Sequence, residues 1–241
     1  MDDEMFMVQH KGYLLNEYER ERNLQHVRKS SCLLRYKKIA SHPLMNTYYI
    51  IYKPFGMLSQ FTKEGEHQTL ADLGFPFPKD VYPVGRLDAD SEGLLLLTNN
   101  KNLNHRLLNP GFRHNRTYLI QVEGEISEDA CKEMEAGLSI SIDGKKYLTE
   151  TCKVKPVEEP TAIPERKPPV RFRKSIPTSW IEMTLIEGKN RQVRKMTAAV
   201  GFPTLRLIRI AIEDLTMDEM KQGEVKELKE SIALRLLKLR V

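Results

Sequence analysis

The chain has 241 residues, 40% of them hydrophobic, which is enough to bury the core of one catalytic domain or of two small ones. Its 38 Lys and Arg residues outnumber 33 Asp and Glu residues and give a mild net charge of +5, so the placement of the charges is more informative than their sum. Short apolar runs and an acidic N-terminus predict neither a membrane span nor a secretory signal, and the spacing of the 3 cysteines fits neither a zinc site nor a disulfide framework. This composition indicates a cytoplasmic protein.

The first half of the chain alternates between charged and strand-forming segments. Residues 1–46 carry 8 basic and 6 acidic residues and are predicted to form a charged extension with one helix around 14–27. Strand signals begin at Tyr48, where aromatic and β-branched residues cluster, and stop at Lys53 before a proline. A buried strand is predicted at 94–98, followed by a short helix at 103–108.

The second half predicts an α+β fold. Its predicted elements are a strand at 116–123, a helix from Ser127 to about 135 closed by Gly137, a hairpin that turns at Asp143-Gly144 between 138–142 and 147–154, a strand at 181–185, a helix at 191–200 capped by Gly201, and a strand at 204–212. Because strands and helices alternate irregularly and several connections are hairpins, we expect a mainly antiparallel or mixed sheet with flanking helices instead of a doubly wound fold.

A proline-rich segment interrupts this pattern. Residues 155–177 contain 6 prolines, which excludes a helix or a central strand there. The part 165–174 carries 5 basic residues and 1 acidic residue. The segment is therefore predicted to be either a loop that grips RNA phosphates or a solvated linker.

An acidic, glycine-flanked loop stands directly before the predicted buried strand. It has the sequence Gly85-Arg86-Leu87-Asp88-Ala89-Asp90-Ser91-Glu92-Gly93. Such a loop holds its side chains at the mouth of the strand, where scaffolds display catalytic groups. A calcium loop of the EF-hand type fits poorly, because its twelfth position would be Asn99 in place of a glutamate. When this segment is considered alone, it could also be a polar turn that caps the strand and has no catalytic role.

Five motifs in the same order resemble those of the pseudouridine synthases, in the branch named for the small-subunit rRNA enzyme. They are Lys53-Pro54-Phe55-Gly56, the loop and strand 85–98, Arg116-Thr117-Tyr118, the stretch 187–196 and Leu207-Ile208-Arg209. The sequence departs from that pattern at Arg116, where Lys is usual, and at Arg191, where His is usual. Segments 60–62 and 173–180 are most similar to the E type, which acts on 23S rRNA.

This resemblance, which covers roughly 48–228, implies the fold and the site. It implies the pseudouridine synthase fold, with an active-site cleft across the sheet and without the S4 RNA-binding module that precedes it in many relatives. Asp88 falls on the catalytic aspartate of the family, and Tyr118 on the tyrosine that stacks against the target base. Arg194 matches the basic position after Gln-Val and is our candidate for the cation beside Asp88, with Arg191 and Arg86 as alternatives. Such a cation is needed within about 4–6 Å, because burial alone would raise the pKa of a carboxyl group.

The implied reaction requires little beyond a carboxylate. Isomerisation breaks the N1–C1′ bond of uridine and rejoins uracil through C5, so no atom enters or leaves, and we expect neither a cofactor nor a metal. An ionised carboxylate can attack C1′ or remove the C2′ proton, and both routes stay open. A hydrolytic glycosidase would need two carboxylates, with Asp90 or Glu92 as the second, although the family pattern tolerates other residues there.

Basic residues suggest how RNA is bound. Six bases stand against the single acid Glu187 between 186 and 209, including Arg206, and we expect them to form a positive rim with the proline-rich segment. Lys53 is also expected to position the opening turn. The predicted RNA contacts are Lys53, Arg86, Arg116, Arg171, Arg173, Lys174, Lys189, Arg191, Lys195 and Arg209.

The predicted organisation is a charged extension at 1–46, a catalytic domain at 47–228 and a C-terminal helical extension at 229–241. The predicted partner is ribosomal RNA, most specifically 23S rRNA, bound by a monomer without membrane contact. A synthase for 16S rRNA or tRNA stays possible. So does a non-catalytic RNA-binding assembly factor, which would not need to keep Asp88, Tyr118 and Arg194 together.

Overall fold

The computed structural model describes residues 46–170 and 176–239. The strands are β1 Tyr48–Lys53, β2 Tyr82–Pro83, β3 Glu92–Thr98, β4 Arg116–Glu123, β5 Ser139–Ile142, β6 Lys145–Leu148, β7 Lys153–Val157, β8 Thr178–Leu185, β9 Thr204–Ile212, β10 Leu215–Thr216 and β11 Val225–Leu228. The helices are α1 Lys101–Leu108, α2 Glu128–Ala136, α3 Gln192–Ala199 and α4 Glu230–Leu236, and short 3-10 turns occupy Leu70–Leu73 and Pro110–Phe112.

One mixed sheet dominates the fold. Its strand order is β11-β1-β3-β9-β4-β8-β7, with β2 paired to β3 and β10 paired to β9. The neighbouring strands are antiparallel except β3 and β9, which run parallel where Glu92 faces Ile208 and Gly93 faces Arg209. The predicted α+β class with a mixed sheet is therefore confirmed.

Helices and loops cover both faces of the sheet. Residues of β1 and β3 are buried throughout and alternate between two core clusters, with Ile51 and Leu95 in one and Ile50 and Leu94 in the other. Strands that are covered on both faces have nearly continuous apolar sequences. The unbroken run 94–97 follows from this burial.

Most predicted elements are confirmed, and β4 and β9 have the predicted bounds. The Ser127 side chain accepts a hydrogen bond from the Ala130 N–H at the start of α2, as an N-cap should. The hairpin turns at Asp143-Gly144, whose φ angles of 49° and 77° suit the two left-handed positions of its turn.

The predicted single strand at 147–154 was wrong. Thr149 exchanges hydrogen bonds with Leu138 and ends the hairpin there. The chain then crosses to the main sheet, where β7 is the edge strand and contains Pro156, a position at which proline removes no central hydrogen bond.

The close contact between β3 and β9 depends on a glycine. Gly93 has a φ of +103°, and a Cβ there would lie 2.2 Å from the Arg209 carbonyl oxygen. Only glycine lets the backbones approach this closely. The acidic loop before β3 is thereby held beside the strand that carries Leu207 and Arg209.

Some predictions fall on residues that the structure does not describe. These are the helix at 14–27, residues 1–45 of the predicted extension, and the predicted RNA contacts Arg171, Arg173 and Lys174. The predicted C-terminal extension includes α4, while β11 pairs with β1. Within the described ranges, none of the helices has the length and apolar character that crossing a membrane requires.

Candidate active site

A cavity of about 760 Å³ opens beside the start of β3. Its wall includes residues from the acidic loop, from β4 and β9, and from the segment that leads into α3. The ionisable or hydrogen-bonding side chains in this wall include Asp88, Arg116, Tyr118, Tyr147, Arg191 and Arg209. The fold therefore brings four of the five predicted motifs, which are distant in sequence, around one opening, and the motif 53–56 lies outside this wall.

The loop that carries Asp88 is fixed by hydrogen bonds on both sides. The Ser59 hydroxyl donates to the Leu87 carbonyl at 2.8 Å and accepts from the Leu87 N–H at 3.0 Å. The Gly56 N–H donates to the Ala89 carbonyl at 2.7 Å, and Ser91 N–H closes the turn on the Asp88 carbonyl at 3.0 Å. Ser59 is 2% exposed, so these bonds are shielded from water. Sequence reasoning missed this residue.

Lys53 holds the opening turn from beneath. Its side chain is fully buried, and Nζ donates to the carbonyls of Pro54 and Met57 at 3.0 and 2.7 Å. Burial lowers the pKa of Lys53 to about 8, against the opposing attraction of Glu92, Asp90 and Asp88. The ammonium is occupied inside the turn, so its geometry matches the positioning role and leaves no exposed face for an RNA phosphate.

Among the described residues, Arg191 makes the ion pair with Asp88; we predicted Arg194 for this place, with Arg191 as an alternative. Arg191 Nη1 lies 3.7 Å from Asp88 Oδ2, and the two nitrogens of its fork bond both oxygens of Asp90 at 3.1 and 2.8 Å. Arg194 instead holds Asp90, with Nε 3.3 Å from Oδ2 and Nη2 donating to the backbone carbonyl at 2.6 Å. Burial lowers the pKa of Arg194, although nearby Asp90 opposes the shift. The Asp88 side chain itself is 48% exposed in the open cavity.

Tyr118 and Arg209 form the inner wall. Tyr118 lies on β4, is 8% exposed and stands opposite Arg209 of β9 in the strand register. Arg209 is 4% exposed, and its Nε donates to the Leu94 carbonyl at 2.8 Å. Burial lowers the pKa of Arg209, with an interaction with Tyr118 acting in the opposite sense. Arg209 thus supports the wall behind the opening and does not project from the rim.

The model of the RNA pseudouridylate synthase family matches residues 47–199. The chain belongs to this family. It is therefore an enzyme that isomerises uridine in RNA.

Similar proteins agree with that assignment. A relative from Vibrio parahaemolyticus, named ribosomal large subunit pseudouridine synthase E, is 46% identical over 186 residues, 77% of this chain and 75% of its own. A relative of the same name from Xanthomonas axonopodis pv. citri is 44% identical over 173 residues, 71% of this chain and 88% of its own. A solved structure described as that of pseudouridylate synthase matches with a TM-score of 0.63 and 26% identity, covering 80% of this chain and 74% of the other.

A buried glutamate anchors the β5–β6 hairpin beside the synthase cavity. Glu187 accepts hydrogen bonds from the Tyr147 hydroxyl at 2.5 Å, from the Glu150 N–H at 2.9 Å and from the Gln192 amide. The hydrogen bond to Glu187 raises the pKa of Tyr147 to about 12. Lys189 Nζ lies 4.8 Å from the centroid of the Tyr147 ring. We had assigned Glu187 no role, although the spacing of its motif with Gln192 was a signal for this bond.

Within the described ranges, two of the arginines expected to attract RNA make contacts inside the fold. Arg206 is buried in an ion pair with Glu92, and Arg116 donates to the carbonyls of His114 and Leu107 at 3.1 and 2.6 Å. Both arginines are committed within the fold. Among the predicted RNA contacts that the structure describes, those at least partly exposed are Arg86, Arg116, Lys189, Arg191 and Lys195, and of these Arg116 is bound to backbone carbonyls.

Sequence reasoning missed one residue of the cavity wall and its neighbour in the chain. Arg113, which pairs with Glu150 at 3.4 Å, lines the cavity, and the neighbouring Phe112 is 50% exposed. An exposed aromatic ring beside a cation is a suitable platform for an unstacked base.

The proline-rich segment is fastened next to the opening turn. The Arg166 guanidinium lies 4.2 Å from the centroid of the Phe55 ring, and Arg206 donates to the Pro164 carbonyl at 2.9 Å. This part of the segment contacts the folded domain instead of lying free in solvent. Among the described residues, no group of three or more His, Cys, Asp or Glu side chains is arranged to hold a metal ion.

Proposed function

We propose that this synthase isomerises a uridine of the large-subunit (23S) ribosomal RNA, with Asp88 as the catalytic carboxylate. The observation that carries the proposal is the different commitment of the acids in the cavity wall. Glu187 is occupied by three hydrogen bonds, and Glu150 pairs with Arg113. Among residues 46–170 and 176–239, the ion pair of Asp88 is a loose contact with Arg191 at 3.7 Å, which supports a carboxylate whose oxygens are available to the substrate.

The proposed chemistry needs Asp88 to stay ionised once RNA fills the cavity. A bound nucleotide would exclude water from this half-exposed side chain, and desolvation favours the protonated form of a carboxyl group. Arg191, already 3.7 Å away, can offset that cost. Asp88 would then attack C1′ or remove the C2′ proton, and Tyr118 would pack against the base.

The cavity has a suitable size for one extruded nucleotide. Its volume of about 760 Å³ lies within the range of ligand pockets, roughly 300–1,000 Å³. Extrusion of a base costs a few kcal/mol in a duplex and less in a loop. Arg86 and Lys189, which line the cavity, and the partly exposed Lys195 would offset part of this cost through phosphate contacts. The names of the relatives support large-subunit rRNA as the acceptor.

The test is incubation of the purified protein with unmodified 23S rRNA, 16S rRNA and tRNA, followed by mapping of pseudouridine at nucleotide resolution. We expect one modified position in 23S rRNA. Asp88→Asn should abolish the modification without weakening RNA binding, because it removes a charge and almost no volume. The matched control is Asp129→Asn, since the Asp129 side chain is 95% exposed in the first turn of α2.

Each part of the proposal has its own contrary outcome. Pseudouridine formation by Asp88→Asn would refute the catalytic assignment. Modification of 16S rRNA or tRNA alone would refute the acceptor and leave the chemistry intact. Activity on a short unstructured RNA should persist in the presence of a chelator. If this activity were lost and only a metal ion restored it, a mechanism carried by the protein's own carboxylate would be refuted.

A further inference from the structure

Asp90 binds both arginines that face the catalytic loop. Its two carboxylate oxygens accept from the fork of Arg191, and one of them lies 3.3 Å from Arg194 Nε. Burial would raise the pKa of Asp90, but the hydrogen bonds from Arg191 and the charge of Arg194 outweigh it and hold that pKa below its ordinary value. Asp90 is therefore ionised, and its carboxylate is occupied by the two arginines.

The backbone of Arg191 shows that this arrangement has a conformational cost. Arg191 is the N-cap residue of α3 and has a φ of 53° and a ψ of 31°, in the left-handed region. A residue with a side chain other than Asn, Asp or His is uncommon there, and such a conformation persists when its surroundings fix it. The paired hydrogen bonds to Asp90 supply that fixation.

We propose that Asp90 is a positioning residue that restrains Arg191, so that Arg191 supports the charge of Asp88 without closing on it. The inference rests on the proposed role of Asp88. An arginine fork that bonded Asp88 through both nitrogens would occupy the two oxygens that the substrate needs. Because Asp90 takes both nitrogens, Asp88 receives only the 3.7 Å contact, which is electrostatic and leaves its lone pairs free.

Other charges around Asp88 do not supply this restraint. Lys53 is bound to two backbone carbonyls, and Arg194 is bound to the Asp90 carbonyl and approaches Asp90 Oδ2. Both interact with Asp88 through their charge, without a hydrogen bond to it. Of these groups, Arg191 alone has a contact to Asp88 that could tighten.

The test compares Asp90→Asn, Arg191→Gln and the double variant by kcat, KM and the pH dependence of turnover on 23S rRNA. In Asp90→Asn, Arg191 should close on Asp88, so kcat should fall on the order of ten- to a hundred-fold, as for a misplaced catalytic group, with little change in KM. The acid limb of the profile should move to lower pH, because a neighbouring negative charge is lost and a cation approaches. In Arg191→Gln the acid limb should move to higher pH, because the cation beside Asp88 is lost. The double variant should not fall below Arg191→Gln, since the restraint then has nothing to act on.

The opposite shifts and the missing additivity distinguish positioning from a purely structural role. Wild-type kcat in Asp90→Asn, or additive losses in the double variant, would overturn the proposal. If Asp90→Asn does not fold, Arg191→Lys tests the same restraint, because lysine keeps the charge and lacks the fork; unchanged kcat in that variant would also overturn it. Asp88→Asn, measured in parallel, identifies failure of the proposed function itself, because only that failure would leave Asp88→Asn active.

Discussion

Replacing Glu92 by glutamine should destabilise the fold without removing the chemistry. Glu92 is four residues beyond Asp88, yet it is bonded to Arg206 by two hydrogen bonds of 2.8 Å, and the two side chains are 1% and 6% exposed. Removing one partner of a buried pair leaves an uncompensated charge and costs roughly 3–5 kcal/mol. We therefore expect Glu92→Gln to lower the free energy of unfolding by about that amount.

Unfolding in urea, followed by tryptophan fluorescence, measures this loss directly. The chain has 1 tryptophan, Trp180, which is buried on β8 at 6% exposure and should report the transition. In a domain of this size each kcal/mol lowers the melting temperature by about 2–4 °C, so the melting temperature should fall by roughly 6–20 °C. The double variant Glu92→Met with Arg206→Met should recover most of the loss, because it removes both charges.

Two results would refute this reasoning. If Glu92→Gln unfolded at the urea concentration of the wild type, the buried pair would not stabilise the fold. If the variant kept its stability and lost turnover well below its melting temperature, Glu92 would act in the chemistry. The second result would revive a two-carboxylate mechanism, in which the loop supplies two reacting acids.

Three further predictions concern the surroundings of the site. Gly93→Ala should lower the free energy of unfolding by at least about 1–3 kcal/mol, because the φ at this position is +103° and the new Cβ would clash with β9. Gly188→Ala is the control and should leave the free energy of unfolding unchanged, since there is open space around Gly188. Urea unfolding of both variants measures the difference. Burial lowers the folded-state pKa of Lys53 to about 8, so the wild-type protein should gain stability as pH rises above 8, by at most about 1.4 kcal/mol per pH unit. Lys53→Met should lack this gain when the free energy of unfolding is measured at several pH values. Phe112→Ala should weaken RNA binding on the order of tenfold and leave kcat at saturating RNA unchanged, whereas Tyr82→Ala, 57% exposed on β2, should not; equal affinities in a binding titration would contradict the stacking role.

The sequence predicted the elements whose local pattern and tertiary environment agree. β4 alternates buried and partly exposed residues, β9 is rich in apolar residues, and the predicted bounds of both were correct. The β5–β6 hairpin followed from the turn residues Asp143-Gly144, which tolerate a positive φ. The family resemblance of the motifs predicted one site for Asp88 and Tyr118, and both line the same cavity.

The sequence could not predict which arginine pairs with which acid, because the pairing depends on how the folded segments approach each other. Arg191 and Arg194 are one helical turn apart, and either could have faced Asp88. The left-handed backbone of Arg191 directs its guanidinium toward Asp88 and Asp90, and no residue pattern predicts this conformation. Ser59 was missed for a related reason: a single serine 28 residues before Leu87 has no local signature, and only the folded turn brings the two together.

The loop before β3 shows how three acids in five residues can have three roles. Asp88, Asp90 and Glu92 alternate along the chain, and without partners their like charges would repel. Arg191, Arg194 and Arg206 supply the matching positive charges from α3 and the neighbouring strand β9.

The parallel contact of β3 with β9, which Gly93 permits, brings the loop and these arginines together. The three acids differ in how deeply their side chains are buried, and this difference separates their roles. Glu92 is sealed in the core with Arg206, while Asp90 is half-shielded against α3. Asp88 stays open to the cavity, where a carboxylate can meet a substrate. The proposed catalytic acid is therefore distinguished less by its residue type than by its surroundings: of the three acids in this loop, Asp88 is the one whose carboxylate accepts no hydrogen bond from the part of the chain that the structure describes.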